Sequence, residues 1–156
     1  PSVAHKLSER KAEREQLTRE ISERTRVVDR IAISRLEDLG MRSNGYHVTA
    51  HIGDECDACM VIHGNVGASF GEDGRYPVSA SFYTNSFLHR EGGIFDLTNL
   101  ATHLDPDGGG HANACGCRIQ ALEGGNRTDR EVSEEDIEAN IAVWLKLWSN
   151  RKEGQN

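Results

Sequence analysis

With 156 residues, 28% of them charged and 37% hydrophobic, the chain is long enough for one domain with its own core and some extra length. Eighteen Lys and Arg against 25 Asp and Glu leave a net charge of −7. That balance argues against a broad duplex-binding surface, which is normally basic, and fits a small pocket for one or two phosphates. No apolar run approaches a membrane span and no signal peptide precedes the charged start, so the expected setting is soluble and cytoplasmic. The four cysteines then read as thiols or metal ligands, not as a disulfide frame.

From Val3 to Leu39 the sequence predicts one long helix, or two in series. Lys6 to Arg26 is rich in Glu, Arg, Lys and Gln without Gly or Pro, and Leu17, Ile21, Val28, Ile31, Ala32, Leu36 and Leu39 recur at helical spacing. Gly40 is its natural stop. Strands are then predicted at Tyr46–Ile52, Ala58–His63, Val66–Phe70 and Val78–Tyr83. Gly64-Asn65 would form a two-residue hairpin turn, and Gly71–Tyr76 a second turn ahead of Pro77.

Phe95–Leu104 predicts a short helix, with Asp96 or Thr98 near its start. A glycine loop, a short helical turn and a strand near Cys117–Leu122 follow, and Glu123–Arg130 is a polar loop. Ser133 and Asp136 have capping-box spacing and open a terminal helix whose apolar face is Ile137, Ile141, Trp144, Leu145 and Trp148. The tryptophans are read as core or docking residues. The expected architecture is α/β: a small mixed, partly antiparallel sheet flanked by helices and preceded by the long N-terminal helix.

The stretch Gly108 to Gly116 carries the chemistry. Gly108, Gly109 and Gly110 clear a loop of side chains, so backbone N–H groups can close on a ligand. His111 follows at once, and a helix N-terminus after it would complete an anion seat. His111 would donate to a phosphate oxygen, and an anionic ligand should raise its pKa. Asn113 would read a sugar or phosphate, or fix the loop. Arg118 faces the site in only one of two strand registers. Asp105-Pro106-Asp107, just ahead, reads as a turn with an Asx-type hydrogen bond.

The string Gly-Gly-Gly-His-x-Asn-Ala-x-Gly resembles the signature of the DHH-associated domain, the C-terminal substrate-binding domain of DHH-superfamily phosphoesterases. That superfamily includes RecJ-type exonucleases, nanoRNases, cyclic-dinucleotide phosphodiesterases and exopolyphosphatase-related proteins. The resemblance implies a linker helix over residues 1–40 and a substrate-binding domain over 41–156. It implies a site built from Gly108, Gly109, Gly110, His111, Asn113, Ser81, Tyr83 and Arg118. Ser81-Phe82-Tyr83 stands where family members carry Ser-x-Arg; the serine matches, but tyrosine replaces the phosphate-binding arginine. Tyr83 would stack on a base or bond a phosphate instead, with Arg90 or Arg75 supplying charge.

No Asp-His-His triplet occurs, and the chain starts at Pro1 without methionine, as expected of a fragment or a trimmed terminus. The resemblance therefore implies the substrate-binding part of a metal-dependent phosphoesterase, inactive alone. Manganese or magnesium would belong to the missing catalytic domain, with no cofactor in this chain. Expected partners are a short oligonucleotide or nucleotide and the protein's own catalytic domain, with no membrane and a possible homodimer through the long helix. Two alternatives stay open: an RNA-binding appendage like that of alanyl-tRNA synthetase, and a zinc-stabilised interaction domain. The second would use Cys56, Cys59, Cys115 and Cys117, with His51 and His63 nearby, although buried thiols are the preferred reading of the four.

Overall fold

The computed structural model describes residues 2–41 and 43–151. A six-stranded mixed sheet runs in the order β1-β2-β3-β4-β6-β5, with a separate two-stranded ribbon of β7 (Leu122–Glu123) and β8 (Asn126–Arg127). The β2–β3 pair is parallel and the other pairs of the large sheet are antiparallel. The expected α/β class, with a mixed sheet and a long N-terminal helix, is the observed one. None of the described helices is long and apolar enough to cross a membrane.

The first helix, α1, covers Val3–Arg24 and ends well short of Leu39. Thr25–Val28 and Ile31–Arg35 are instead β1 and β2, a tight hairpin. Its two-residue turn, Asp29-Arg30, has φ of 47° and 67°, the backbone a right-twisted hairpin needs but which non-glycine residues rarely adopt. Tertiary bonds hold it there. The Trp148 indole N–H and the Arg151 guanidinium both donate to the Asp29 carbonyl, and Arg30 donates twice to the Asp57 carboxylate. Residues 25–35 thus belong to the sheet, not to a linker helix.

Two further segments depart from the expected strands. Gly45–Ile52 forms the helix α2, capped by Asn44, whose side chain accepts from the His47 N–H at 3.2 Å, and ended at Gly53 with φ of 72°. Its buried positions, Gly45, Val48 and Thr49, have helical spacing. Val66–Phe70 is not a strand: Gly67, Gly71 and Gly74 all take positive φ, and only an isolated bridge, Asn65 to Pro77, closes the long loop. Gly64-Asn65 therefore makes no tight hairpin. The strands β3 (Ala58–His63) and β4 (Ser79–Thr84) pair antiparallel across that loop.

The helix α3 covers Thr98–Leu104, with the Asp96 carboxylate accepting from the Thr98 N–H at 3.0 Å. The final helix, α4 (Glu134–Ser149), opens on the expected capping box between Ser133 and Asp136. Strand alternation divides the core. On one face Met60, Ile62, Ala80, Phe82 and Cys115 pack under α3 and α4, where Trp144 meets Phe82 edge-on at 5.0 Å. On the other, Ala32, Cys59 and Val61 pack under Leu17 and Ile21 of α1 and Val48 of α2.

Candidate functional site

The glycine stretch folds as an edge hairpin, not as a loop leading into a helix. Gly109–His111 is β5 and Ala114–Arg118 is β6, joined by Ala112-Asn113. No helix N-terminus follows His111, so that part of the expected anion seat is absent. Two of the glycines are needed for packing. A Cβ on Gly108 would stand 2.2 Å from the Ala101 carbonyl oxygen of α3, and one on Gly110 would stand 2.8 Å from the Ala114 oxygen. Gly109 has open space around it, at a φ of 154°. Its freedom from a side chain thus serves the surface.

Register then assembles a row. Ser81 of β4 is opposite Gly116 of β6, and Gly116 is opposite Gly109 of β5. The next row is Tyr83, Ala114 and His111. Ser79 pairs with Arg118 on the other side. All these positions point away from the α3–α4 core, on the face that α1 and α2 share. Those helices sit on β2, β3 and the Tyr83 end of β4, and the rest of the face is a shelf of small and polar residues at which Ala114, His111 and Arg118 are exposed. Six of the eight expected site residues, Ser81, Tyr83, Gly109, His111, Asn113 and Arg118, border this shelf or its ends. Gly108 and Gly110 support it from within the backbone.

The side chains differ in how far they are committed. The Ser81 hydroxyl lies 3.1 Å from His63 Nε2, a residue at the end of β3 that joins the shelf. Asn113 is a latch: its Oδ1 accepts from Thr84 Oγ1 at 2.8 Å and from the Gly93 N–H at 2.9 Å. Arg118 holds its guanidinium 4.6 Å from the centre of the Phe70 ring, a cation–π contact, while its backbone N–H donates to Asp105. Asp105 also accepts from the Asp107 N–H, the expected Asx-type turn. Arg75 pairs with Glu72 in the long loop and takes no place on the shelf.

Beyond Tyr83 a cleft of about 270 Å³ opens between the start of α2, the end of β4 and the segment 85–93. Tyr46, Tyr83, His89, Arg90 and Asn113 line it, and none of its lining residues is a carboxylate. His89 is held by Asp57, whose Oδ1 lies 2.8 Å from His89 Nε2. Bonds from Arg30 and then from His89 hold the Asp57 carboxyl below its ordinary range, outweighing its partial burial. A larger depression, about 700 Å³, lies beside the glycine stretch and is lined by Asp105, Asp107 and Asp129 with Arg118 and Arg127. Three carboxylates make it a poor seat for an anion.

The cysteine pairs lie on opposite faces of the sheet. Cys56 and Cys59 pack with α1 and α2, and Cys115 and Cys117 with α3 and α4. They cannot share one tetrahedral metal, and among the described residues no group of three or more His, Cys, Asp or Glu side chains is placed to hold a metal ion. Burial pushes the Cys56 thiol up to about 11 and those of Cys115 and Cys117 to about 12.

Solved structures share this fold. A pGpG-specific phosphodiesterase from Vibrio cholerae superposes with a TM-score of 0.61 over 96% of this chain, at 14% identity. An exopolyphosphatase-related protein from Bacteroides fragilis does so with 0.55 over 90%, at 15% identity. The chain spans 43% and 36% of their lengths, less than half of either. No family model matches the sequence, and no curated protein matches it.

Proposed function

We propose that this chain is the substrate-binding part of a DHH-type, metal-dependent phosphoesterase, gripping a phosphate or nucleotide of a short oligonucleotide, cyclic dinucleotide or related phosphoester. The observation that carries this reading is the row Ser81, Gly116 and Gly109, bare of bulk and bordered by His63, His111 and Arg118. A phosphate laid on such a row would meet a hydroxyl and half-buried glycine backbone with no side chain over it. An imidazole at its rim adds a hydrogen bond to charged oxygen, which is stronger than one between neutral groups. The likeness to a pGpG phosphodiesterase and an exopolyphosphatase-related protein agrees with phosphate chemistry.

In this reading the hydrolytic metal ions, manganese or magnesium, are brought by a catalytic domain outside this chain, and closure of the two domains completes the site. Among the described residues no group of three or more His, Cys, Asp or Glu side chains is placed to take those ions. What the chain itself does is hold one end of the substrate. The zinc-stabilised alternative loses its basis in the separation of the cysteine pairs. The RNA-appendage alternative sits poorly with a net charge of −7.

Titration calorimetry with the linear dinucleotide pGpG tests the proposal. Saturable binding is expected, weakened about tenfold or more by His111→Ala, the worth of one charge-assisted hydrogen bond. Lys11→Ala, at an exposed position of α1, should bind as the wild type does. Equal binding by wild type and His111→Ala would remove His111 from the site.

A further inference from the structure

The cleft beyond Tyr83 has a chemistry the phosphate shelf does not explain. Asn113 is the informative residue. Its amide oxygen faces the Gly93 backbone N–H, a group that can only donate, so the side chain's orientation is fixed. The Thr84 hydroxyl donates to the same oxygen. Both acceptor directions are spent, and Asn113 Nδ2, with no hydrogen-bond partner among the described residues, is left as a donor on a residue that lines the cleft. Arg90 lines it too, with five more donors and no ion-pair partner among the described residues.

The walls add flat apolar surface. Tyr83 is pressed against α2 so closely that a Cβ on Gly45 would stand 2.2 Å from its ring. Tyr46 is largely exposed, braced edge-on by Phe87 at 6.3 Å between ring centres. At about 270 Å³ the cleft is smaller than pockets that enclose a whole drug-sized ligand, and suits one planar ring system. Aromatic walls accept any base by stacking, but donors along one side discriminate among them. Guanine offers two adjacent acceptors, N7 and O6, whereas adenine sets an amino donor beside its N7.

Resting on the reading of the shelf as a phosphate seat, we propose that the cleft lined by Tyr46, Tyr83, Arg90 and Asn113 is a nucleobase pocket that selects guanine through its N7/O6 edge. Phosphate on the Ser81–Gly116–Gly109 row and base beside Asn113 make a guanine nucleotide the recognised end of the substrate. His89, held by Asp57, lines the same pocket.

Calorimetry with GMP, IMP and AMP tests this. IMP keeps N7 and O6 but lacks the 2-amino group, so GMP and IMP are expected to bind alike and AMP about tenfold more weakly. Asn113→Asp keeps an oxygen for Gly93 and Thr84 but replaces the free donor with an acceptor, and it should abolish the preference. If that variant fails to fold, Arg90→Gln should narrow the ratio. Equal affinity for all three nucleotides, each weakened by His111→Ala, would overturn the base pocket and leave the phosphate shelf standing. A preference for GMP over both IMP and AMP would overturn recognition through N7 and O6. Absence of binding by any nucleotide would overturn both readings.

Discussion

Arg151, one residue past the cap of α4, closes on Asp29 in the β1–β2 turn, Nη1 to Oδ2 at 2.7 Å, while its guanidinium lies 4.2 Å from the centre of the Trp148 ring. The arginine side chain is 1% exposed and the aspartate 40%, so the two ends of the pair are unequal. Removing Asp29 would strand a buried cation, whereas removing Arg151 leaves a carboxylate that water can reach. Asp29→Ala should therefore cost more stability than Arg151→Met, about 3 kcal/mol against about 1–2. Urea unfolding of the two variants measures the difference, and equal losses would refute the asymmetry.

The Asp136 carboxylate accepts from Arg130, from the Ser133 backbone and hydroxyl, and from the Leu122 N–H. The Arg130 bonds above all hold its pKa well below the ordinary carboxylate range, against the opposing effect of burial. A folded-state pKa lowered in this way gives stability that is present above the unfolded value, about 4, and lost as pH falls below it. The thermal midpoint should drop between about pH 4 and pH 2, and Asp136→Asn, less stable at neutral pH, should show a shallower acid limb. Parallel acid limbs for the two proteins would assign the loss to other carboxylates.

The three glycines before His111 should not be equivalent. Gly110→Ala places a Cβ against β6 backbone, which cannot yield as a side-chain end can, and Gly108→Ala collides with the α3 carbonyl. Each should cost several times the loss in Gly109→Ala, where only a φ of 154° opposes the change, at about 1–2 kcal/mol. Gly109→Ala is instead expected to weaken pGpG binding, because its methyl would project from the row on which the phosphate is proposed to lie. Melting temperatures and calorimetry of the three variants rank both effects.

Thiol chemistry distinguishes buried cysteines from metal ligands. With Cys56, Cys115 and Cys117 pushed up to about 11–12, and Cys59 raised further by burial, all four should react slowly with a disulfide reagent at pH 8 and rapidly after unfolding. Prolonged treatment with a chelator should leave the melting temperature unchanged. A chelator-dependent fall would show a metal holding the native state.

Some of this architecture could be read from the chain and some could not, for identifiable reasons. The strands at Ala58–His63 and Ser79–Thr84 and the helix after Ser133 follow local rules of apolar runs and capping. The β1–β2 hairpin did not, since its turn lacks glycine and owes its backbone to Trp148 and Arg151, far along the sequence. In Gly45–Ile52 a signal was present but outweighed: Asn44 and Gly53 bracket a helix, while the short alternating pattern suggested a strand. At the site, the glycine–histidine stretch was visible, but its neighbours on the shelf depend on register. His63 comes within reach of Ser81 only because β3 and β4 align as they do, and His89 owes its position to Asp57.

The same dependence on register has a kinetic side. The row Ser81, Gly116 and Gly109 contains no local pair except the hairpin partners Gly109 and Gly116, and Ser81 reaches them only when distant strands zip together. Nonlocal strand pairing pays its chain-closure entropy before contacts repay it, and so tends to be slow. Ligand-binding competence should then appear late in refolding, after helix signals have recovered, making a bound nucleotide a reporter of the final zippering step.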